Sequence, residues 1–292
     1  MSIFVPARVR ETAAGFGAEG TRWLDELPAR VVALEQAWGL TTEQPFDADG
    51  YVSWVAPAKL ADGSEAVLKI SIPHSEARYE ADALRAWDGH GAVRLLHVSD
   101  DGFTLLLERC VPGTNLWSLG EAEGNAAGAA VLRKLWRSAP PDVPFTRLTE
   151  MVQEWCETLP RTAPAAGYDA SLVAHAVELA RDLVASPPET ALLHGDFHPG
   201  NVLSAAREPW LAIDAKPLVG DPAFDLAQWL GNRCEVVERL PDAVAAVRWQ
   251  IDQFSDLLGL DRARIAGWAF VKSLGWDWGA PVARILQNAM RA

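Results

Sequence analysis

Much that would mark a protein for a particular class is scarce or missing here. The 292 residues include three cysteines, Cys110, Cys156 and Cys234, far apart and odd in number, so neither a disulfide framework nor a cysteine-built zinc site is indicated and a reducing, cytoplasmic setting is expected. No apolar run approaches the ~20 residues of a membrane span. The start, Met1-Ser2-Ile3-Phe4-Val5-Pro6-Ala7-Arg8, lacks the apolar core of a secretory signal. Positive charge is short: 26 Lys and Arg face 39 Asp and Glu, a net charge of −13 that argues against nucleic acid or an anionic membrane as partner. That acidity suits a cationic small molecule, but it divides almost evenly between the two halves of the chain and singles out neither. There is no G-x-G-x-x-G run, no internal repeat and no low-complexity tract beyond alanine enrichment. What remains, 49% hydrophobic and 22% charged, is an ordinary soluble globular balance with volume for one large or two modest domains.

Against that background one stretch is dense in chemistry. His194-Gly195-Asp196-Phe197-His198-Pro199-Gly200-Asn201 lies between the apolar runs Ala191-Leu192-Leu193 and Val202-Leu203, as a kinked polar loop between buried walls. A further acid, Asp214, closes Leu211-Ala212-Ile213-Asp214. A carboxylate, a carboxamide and a second carboxylate are oxygen ligands and a potential base, the equipment for Mg²⁺ and a hydroxyl proton. A lone His-Gly-Asp carries little weight, since Gly-Asp pairs also serve turns. The ordered set, with Gly220-Asp221-Pro222-Ala223-Phe224-Asp225-Leu226 following, carries much more.

Earlier in the chain, Leu24, Leu27, Val31, Leu34 and Trp38 recur at spacings of three and four and predict an amphipathic helix over 21–38. Tyr51-Val52-Ser53-Trp54-Val55 and Ala66-Val67-Leu68-Lys69-Ile70 read as a hairpin, turning between Ala58 and Gly63, with Asp49-Gly50 at its mouth. Lys69 interrupts an apolar strand, where an ammonium needs an anionic partner. A helix expected over 75–87 offers Glu76 and Glu80; Glu80 shares a face with Ala77, Leu84 and Trp87 and is the expected partner. Strands over 93–98 and 103–108, around Asp100-Asp101-Gly102, bring the sheet to about five strands. Pro112-Gly113 then marks a break.

From residue 120 the pattern is helical, with helices expected over 126–137, 148–159 and 170–184 and proline clusters as their connections. Val202-Leu203 and Trp210-Leu211-Ala212-Ile213 read as a small hairpin presenting Asp214. Asp221-Pro222 has the form of a helix start, an N-cap acid before a proline at the first position. Two or three helices close the chain between Leu240 and Met290, with Asp252, Asp256, Asp277 and Trp276 on or beside them; most of the 13 tryptophans read as core.

This arrangement resembles the aminoglycoside phosphotransferase family, and Ile213-Asp214-Ala215-Lys216-Pro217 joined to Gly220-Asp221-Pro222 resembles its streptomycin and hydroxyurea kinase branch. The resemblance, over roughly residues 20–280, implies an α+β, two-lobed protein-kinase-like fold. Its small antiparallel-sheet N-lobe would span residues 1–109 and its larger α-helical C-lobe residues 110–292, with Pro112-Gly113 as hinge. It implies transfer of ATP's γ-phosphoryl group to a small-molecule hydroxyl. Asp196 would be the base, and Asn201 and Asp214 the Mg²⁺ ligands. Lys69 with Glu80, Gly50 and Ser53 would hold the nucleotide, with main-chain contributions from Glu108 and Cys110. His194, Asp221 and Asp225 would support the catalytic loop. Lys216 would either reach the γ-phosphate or pair with an acid such as Asp221. Asp252, Asp256, Asp277 and Trp276 are the candidates for holding a cationic acceptor such as streptomycin. Hydroxyurea or another metabolite is the alternative acceptor. A nucleotide-binding pseudokinase is disfavoured because Lys69, Asp196, Asn201 and Asp214 are all present. A monomer is expected.

Overall fold

The computed structural model describes residues 3–46, 52–186, 190–231, 239–276 and 278–291. The chain divides into two compact units, Met1–Gly113 and Thr114–Ala292.

In the first unit, the helix expected from residue 21 begins earlier and has a companion. Helix α1 (Ala7–Gly15) precedes α2 (Gly17–Trp38), which stops at Gly39 in the left-handed region. Val9 and Ala13 of α1, and Trp23, Leu27 and Val31 of α2, repeat at the interval that stacks side chains on one helix face. They join a core with Trp54, Ala56, Ala58, Ala66, Leu68, Ile70 and Leu106 from the sheet. That sheet is antiparallel throughout, in the order β1-β2-β3-β5-β4. Its strands are β1 (Leu40–Thr42), β2 (Ser53–Leu60), β3 (Glu65–Ser71), β4 (Leu95–Val98) and β5 (Thr104–Glu108).

Two sequence expectations are corrected here. Strand β2 runs on through Pro57 to Leu60, and the turn is confined to the residues before β3. Proline is tolerated because the β1 ladder covers only Ala58 to Leu60, and the Pro57 carbonyl takes the Glu43 N–H at 2.8 Å. The helix expected over 75–87 is split into a single 3-10 turn, Ser75–Ala77, and α3 (Glu80–Trp87), with Tyr79 between them outside helical geometry.

Along β3 the period of two sorts the side chains. Ala66, Leu68 and Ile70 pack into the core with α1 and α2, which leaves Lys69 on the opposite face.

The second unit carries helices α4 (Glu121–Leu135), α5 (Leu148–Thr162), α6 (Ala170–Ala185), α7 (Ala223–Gly231), α8 (Ala243–Leu258), α9 (Arg262–Gly275) and α10 (Ala280–Met290). Every residue of α7 is buried. Its Phe224 meets Trp268 of α9 edge to face at 5.4 Å. Between α6 and α7 lie four short strands, β7 (Ala191–Leu193), β8 (Val202–Ser204), β9 (Trp210–Ala212) and β10 (Leu218–Gly220). Strand β7 pairs with β10, which also pairs with β6 (Thr146–Arg147), and β8 pairs with β9. The β7–β8 connection and the β9–β10 connection therefore lie side by side, and those are the two chemistry-bearing segments. Among the described residues no helix is long and apolar enough to cross a membrane.

Candidate active site

In the first unit, Lys69 Nζ lies 2.7 and 2.6 Å from the two carboxylate oxygens of Glu80, both side chains buried. A buried ammonium is tolerable because the carboxylate takes it with both oxygens, and Glu80 sits in the first turn of α3, where the helix dipole favours an anion. Glu76, the competing acid, is exposed. Ser53 is buried and its hydroxyl meets that of Ser71, its cross-strand partner, at 2.8 Å. Gly50 lies outside the described residues. The Glu108 carboxylate accepts the Arg94 N–H at 3.0 Å, and Cys110 is half-buried.

In the second unit, residues 194–201 are tied to residues 213–217 strand by strand. Lys216 N–H donates to the His194 carbonyl at 2.8 Å, Ile213 N–H donates to the Asn201 carbonyl at 2.9 Å, and His194 Nε2 donates to the Ile213 carbonyl at 2.9 Å. Gly195 has φ +81°, and a Cβ there would lie 1.9 Å from the Lys216 carbonyl oxygen. Only glycine lets the two segments approach this closely.

Asp225, at the start of α7, braces the loop. Its carboxylate accepts the N–H groups of His194 at 3.1 Å and Gly195 at 2.8 Å, and the Trp136 indole N–H at 2.9 Å. Asp221 has other partners: it caps α7 through the Ala223 N–H at 3.0 Å and takes Arg264 Nε at 2.8 Å and the Trp268 N–H at 2.7 Å. It therefore ties α7 to α9, and the loop rests on Asp225 alone of the two.

Asp196 is 7% exposed. Its Oδ2 accepts from Lys216 Nζ at 2.8 Å; Oδ1 takes no hydrogen bond among the described residues. Burial works to raise its pKa, but the charges of Lys216, His198 and Lys272 outweigh burial and hold it below the usual 3.8. Of the two fates open to Lys216 in the sequence, this structure has it paired with an acid, and the acid is Asp196 rather than Asp221. His194 and His198 are both pushed below 6.5 by burial, against the pull of neighbouring carboxylates. His198 Nδ1 accepts the Gly200 N–H at 3.1 Å.

Asn201 and Asp214 meet the chemistry of a hard cation. The Asn201 amide nitrogen donates to the Asp196 carbonyl at 3.0 Å, which turns the amide so that Oδ1 is left with no hydrogen bond among the described residues. Asp214 follows on a left-handed backbone, φ +57°, a conformation aspartate tolerates better than most residues. One carboxylate and one amide oxygen suit Mg²⁺, which keeps much of its shell for water and phosphate. No cluster of three or more His, Cys, Asp or Glu of metal-binding form occurs among the described residues.

The acceptor candidates separate. Trp276 lies at the loop, its ring 5.8 Å from Lys216 Nζ and 4.8 Å from Lys272 Nζ. Asp252 is committed to a surface ion pair with Arg262, Asp256 is exposed on α8, and Asp277 lies outside the described residues. Lys272 itself, buried on α9, carries no sequence signal, because a lysine within a helical stretch reads as solvent-facing.

The fold, an antiparallel sheet in one unit and a helical second unit, is protein-kinase-like. The solved amicoumacin kinase hAmiN, a complex with AMP-PNP, Ca²⁺ and Ami, superposes with a TM-score of 0.60 at 18% identity, covering 91% of this chain and 95% of that one. The chain belongs to the aminoglycoside/hydroxyurea antibiotic resistance kinase family, whose model matches residues 38–276. It is 38% identical to the streptomycin 6-kinase of Streptomyces glaucescens, over 95% of this chain and 87% of the relative. It is 39% identical to the hydroxyurea phosphotransferase of Kitasatospora aureofaciens, over 99% and 80% respectively.

Proposed function

We propose that the protein moves the γ-phosphoryl group of ATP to a hydroxyl of a small molecule of the streptomycin class, with Mg²⁺ held by Asn201 and Asp214. The observation that carries this reading is the Asp196 carboxylate, fixed on a braced loop with Oδ1 open and Oδ2 held by Lys216. The acceptor hydroxyl gives its proton to Oδ1 as its oxygen bonds to the γ-phosphorus. The bond from that phosphorus to the β–γ bridging oxygen breaks, and ADP leaves with the electron pair. Lys69, fixed by Glu80, holds the α- and β-phosphates. Bound Mg²⁺ would neutralise phosphate charge. His194, Gly195 and Asp225 keep the loop in register.

Hydroxyurea is the second reading. The 39% identity to a hydroxyurea phosphotransferase favours it, and so does the loss of Asp252 to Arg262, which weakens the acidic site assumed for a cation.

ATP consumption with saturating streptomycin or hydroxyurea tests the two. Streptomycin-dependent turnover supports the first; turnover on hydroxyurea alone replaces it with the second. Asp196→Asn should lose about 10²–10⁴-fold in kcat with ATP affinity little changed, and near-native turnover in that variant would remove Asp196 as the base.

A further inference from the structure

The two peptide planes that lead into Asp196 are held by different means. The plane joining His194 to Gly195 is fixed at its N–H by Asp225 and at its carbonyl by the Lys216 N–H. The plane joining Gly195 to Asp196 is held at its carbonyl by a side chain from a distant helix: Lys272 Nζ of α9 donates to the Gly195 carbonyl at 3.0 Å.

Lys272 is an unusual tenant. It is fully buried, and its ammonium lies 4.6 Å from the centre of the Phe224 ring and 4.8 Å from that of Trp276. An ammonium without water is costly to keep, and a methionine of similar length would fill the same space at no such cost. The Phe224 and Trp276 faces and the Gly195 carbonyl offset part of that cost. Trp276, on which Lys272 rests, also lies under Lys216, the residue that holds Asp196 Oδ2. One indole therefore supports the cation that fixes the main chain of Asp196 and the cation that fixes its side chain.

We propose that Lys272, seated on Trp276, is a positioning residue of the catalytic loop, fixing the Gly195–Asp196 peptide plane and through it the aim of the Asp196 carboxylate. This rests on the reading of Asp196 as the base. Lys272 does not touch the reacting atoms. Without it the loop keeps its Asp225 bonds and its fold, and the carboxylate turns away from the attacking hydroxyl.

The test is Lys272→Met in the full chain, assayed with ATP and streptomycin, or with hydroxyurea if that is the acceptor turned over. The expected result is a fall in kcat of about 10–100-fold with ATP KM within about two-fold of wild type and no drop in melting temperature. A wild-type kcat overturns the proposal. So does a loss in which kcat, both KM values and melting temperature all worsen together, which is what a purely structural lysine would give. If Lys272→Met does not fold, Lys272→Gln keeps an N–H donor for the Gly195 carbonyl without the charge and should hold kcat within about ten-fold of wild type; a larger fall with ATP KM and melting temperature unchanged overturns the proposal. Asp196→Asn run alongside separates the two claims. Near-native turnover there removes the base whatever Lys272→Met does. An inactive Asp196→Asn beside a fully active Lys272→Met removes the positioning role alone.

Discussion

Two histidines in the loop stay neutral at the expense of acid resistance. His194 and His198 both have pKa values below 6.5, with burial as the main cause. As pH falls below that value the unfolded chain takes up protons that the folded loop refuses, so stability drops. Each histidine contributes up to about 1.4 kcal/mol per pH unit while only its unfolded form is charged. Asp196, held below 3.8, remains ionised across this window and adds nothing to it. Urea midpoints should therefore fall between about pH 7.5 and about pH 5.5, and fall less steeply in His198→Asn. An unchanged slope in that variant would assign the effect to other groups.

At the scale of elements, the loop depends on how α7 packs against α4. Trp229 of α7 stacks on Phe197, beside Asp196, at 5.5 Å and donates its indole N–H to Asn125 of α4 at 3.0 Å. A Cβ on Gly128 of α4 would lie 2.5 Å from the Trp229 ring, so Gly128→Ala should cost about 1–3 kcal/mol by urea unfolding and lower kcat as Phe197 shifts. Gly124→Ala, whose Cβ would meet nothing closer than 3.7 Å, is the control and should be neutral or slightly stabilising. Equal effects from the two would show that Trp229 repacks freely. Legibility follows the same physics. The strong period of α2, the β-rich run of β3 and the helical stretch of α6 were readable from the sequence, as was the choice of Glu80 over Glu76 for Lys69. Helix α1 and the three-residue β1 were not, because short segments carry too few repeats for a period to emerge. Between Asp221 and Asp225 the sequence offered only two acids four residues apart on one segment, and the difference between tying helices and bracing the loop depends on what folds against each.

For the whole molecule, the −13 charge bears on the acceptor more than on the fold. A long-range acidic field attracts a multiply charged cation and is screened within about 8–10 Å at ordinary salt. If streptomycin is the acceptor, its KM should rise with added NaCl more steeply than the KM of ATP. For hydroxyurea, which is uncharged, the slope should be flat. A flat slope with streptomycin would mean that binding rests on short-range contacts, Trp276 first among them.

The Lys216–Asp196 pair has a consequence for anyone seeking to block such an enzyme. On the reading of Asp196 as the base, a compound that imitates only the amines of a drug would gain little from it, because a tethered lysine already occupies one of its oxygens at 2.8 Å. A zwitterionic fragment, its anion meeting Lys216 and its donor meeting Oδ1, would engage both ends of the pair at once. The resting protein carries its own competitor for cations, and an inhibitor gains more by recruiting that lysine than by displacing it.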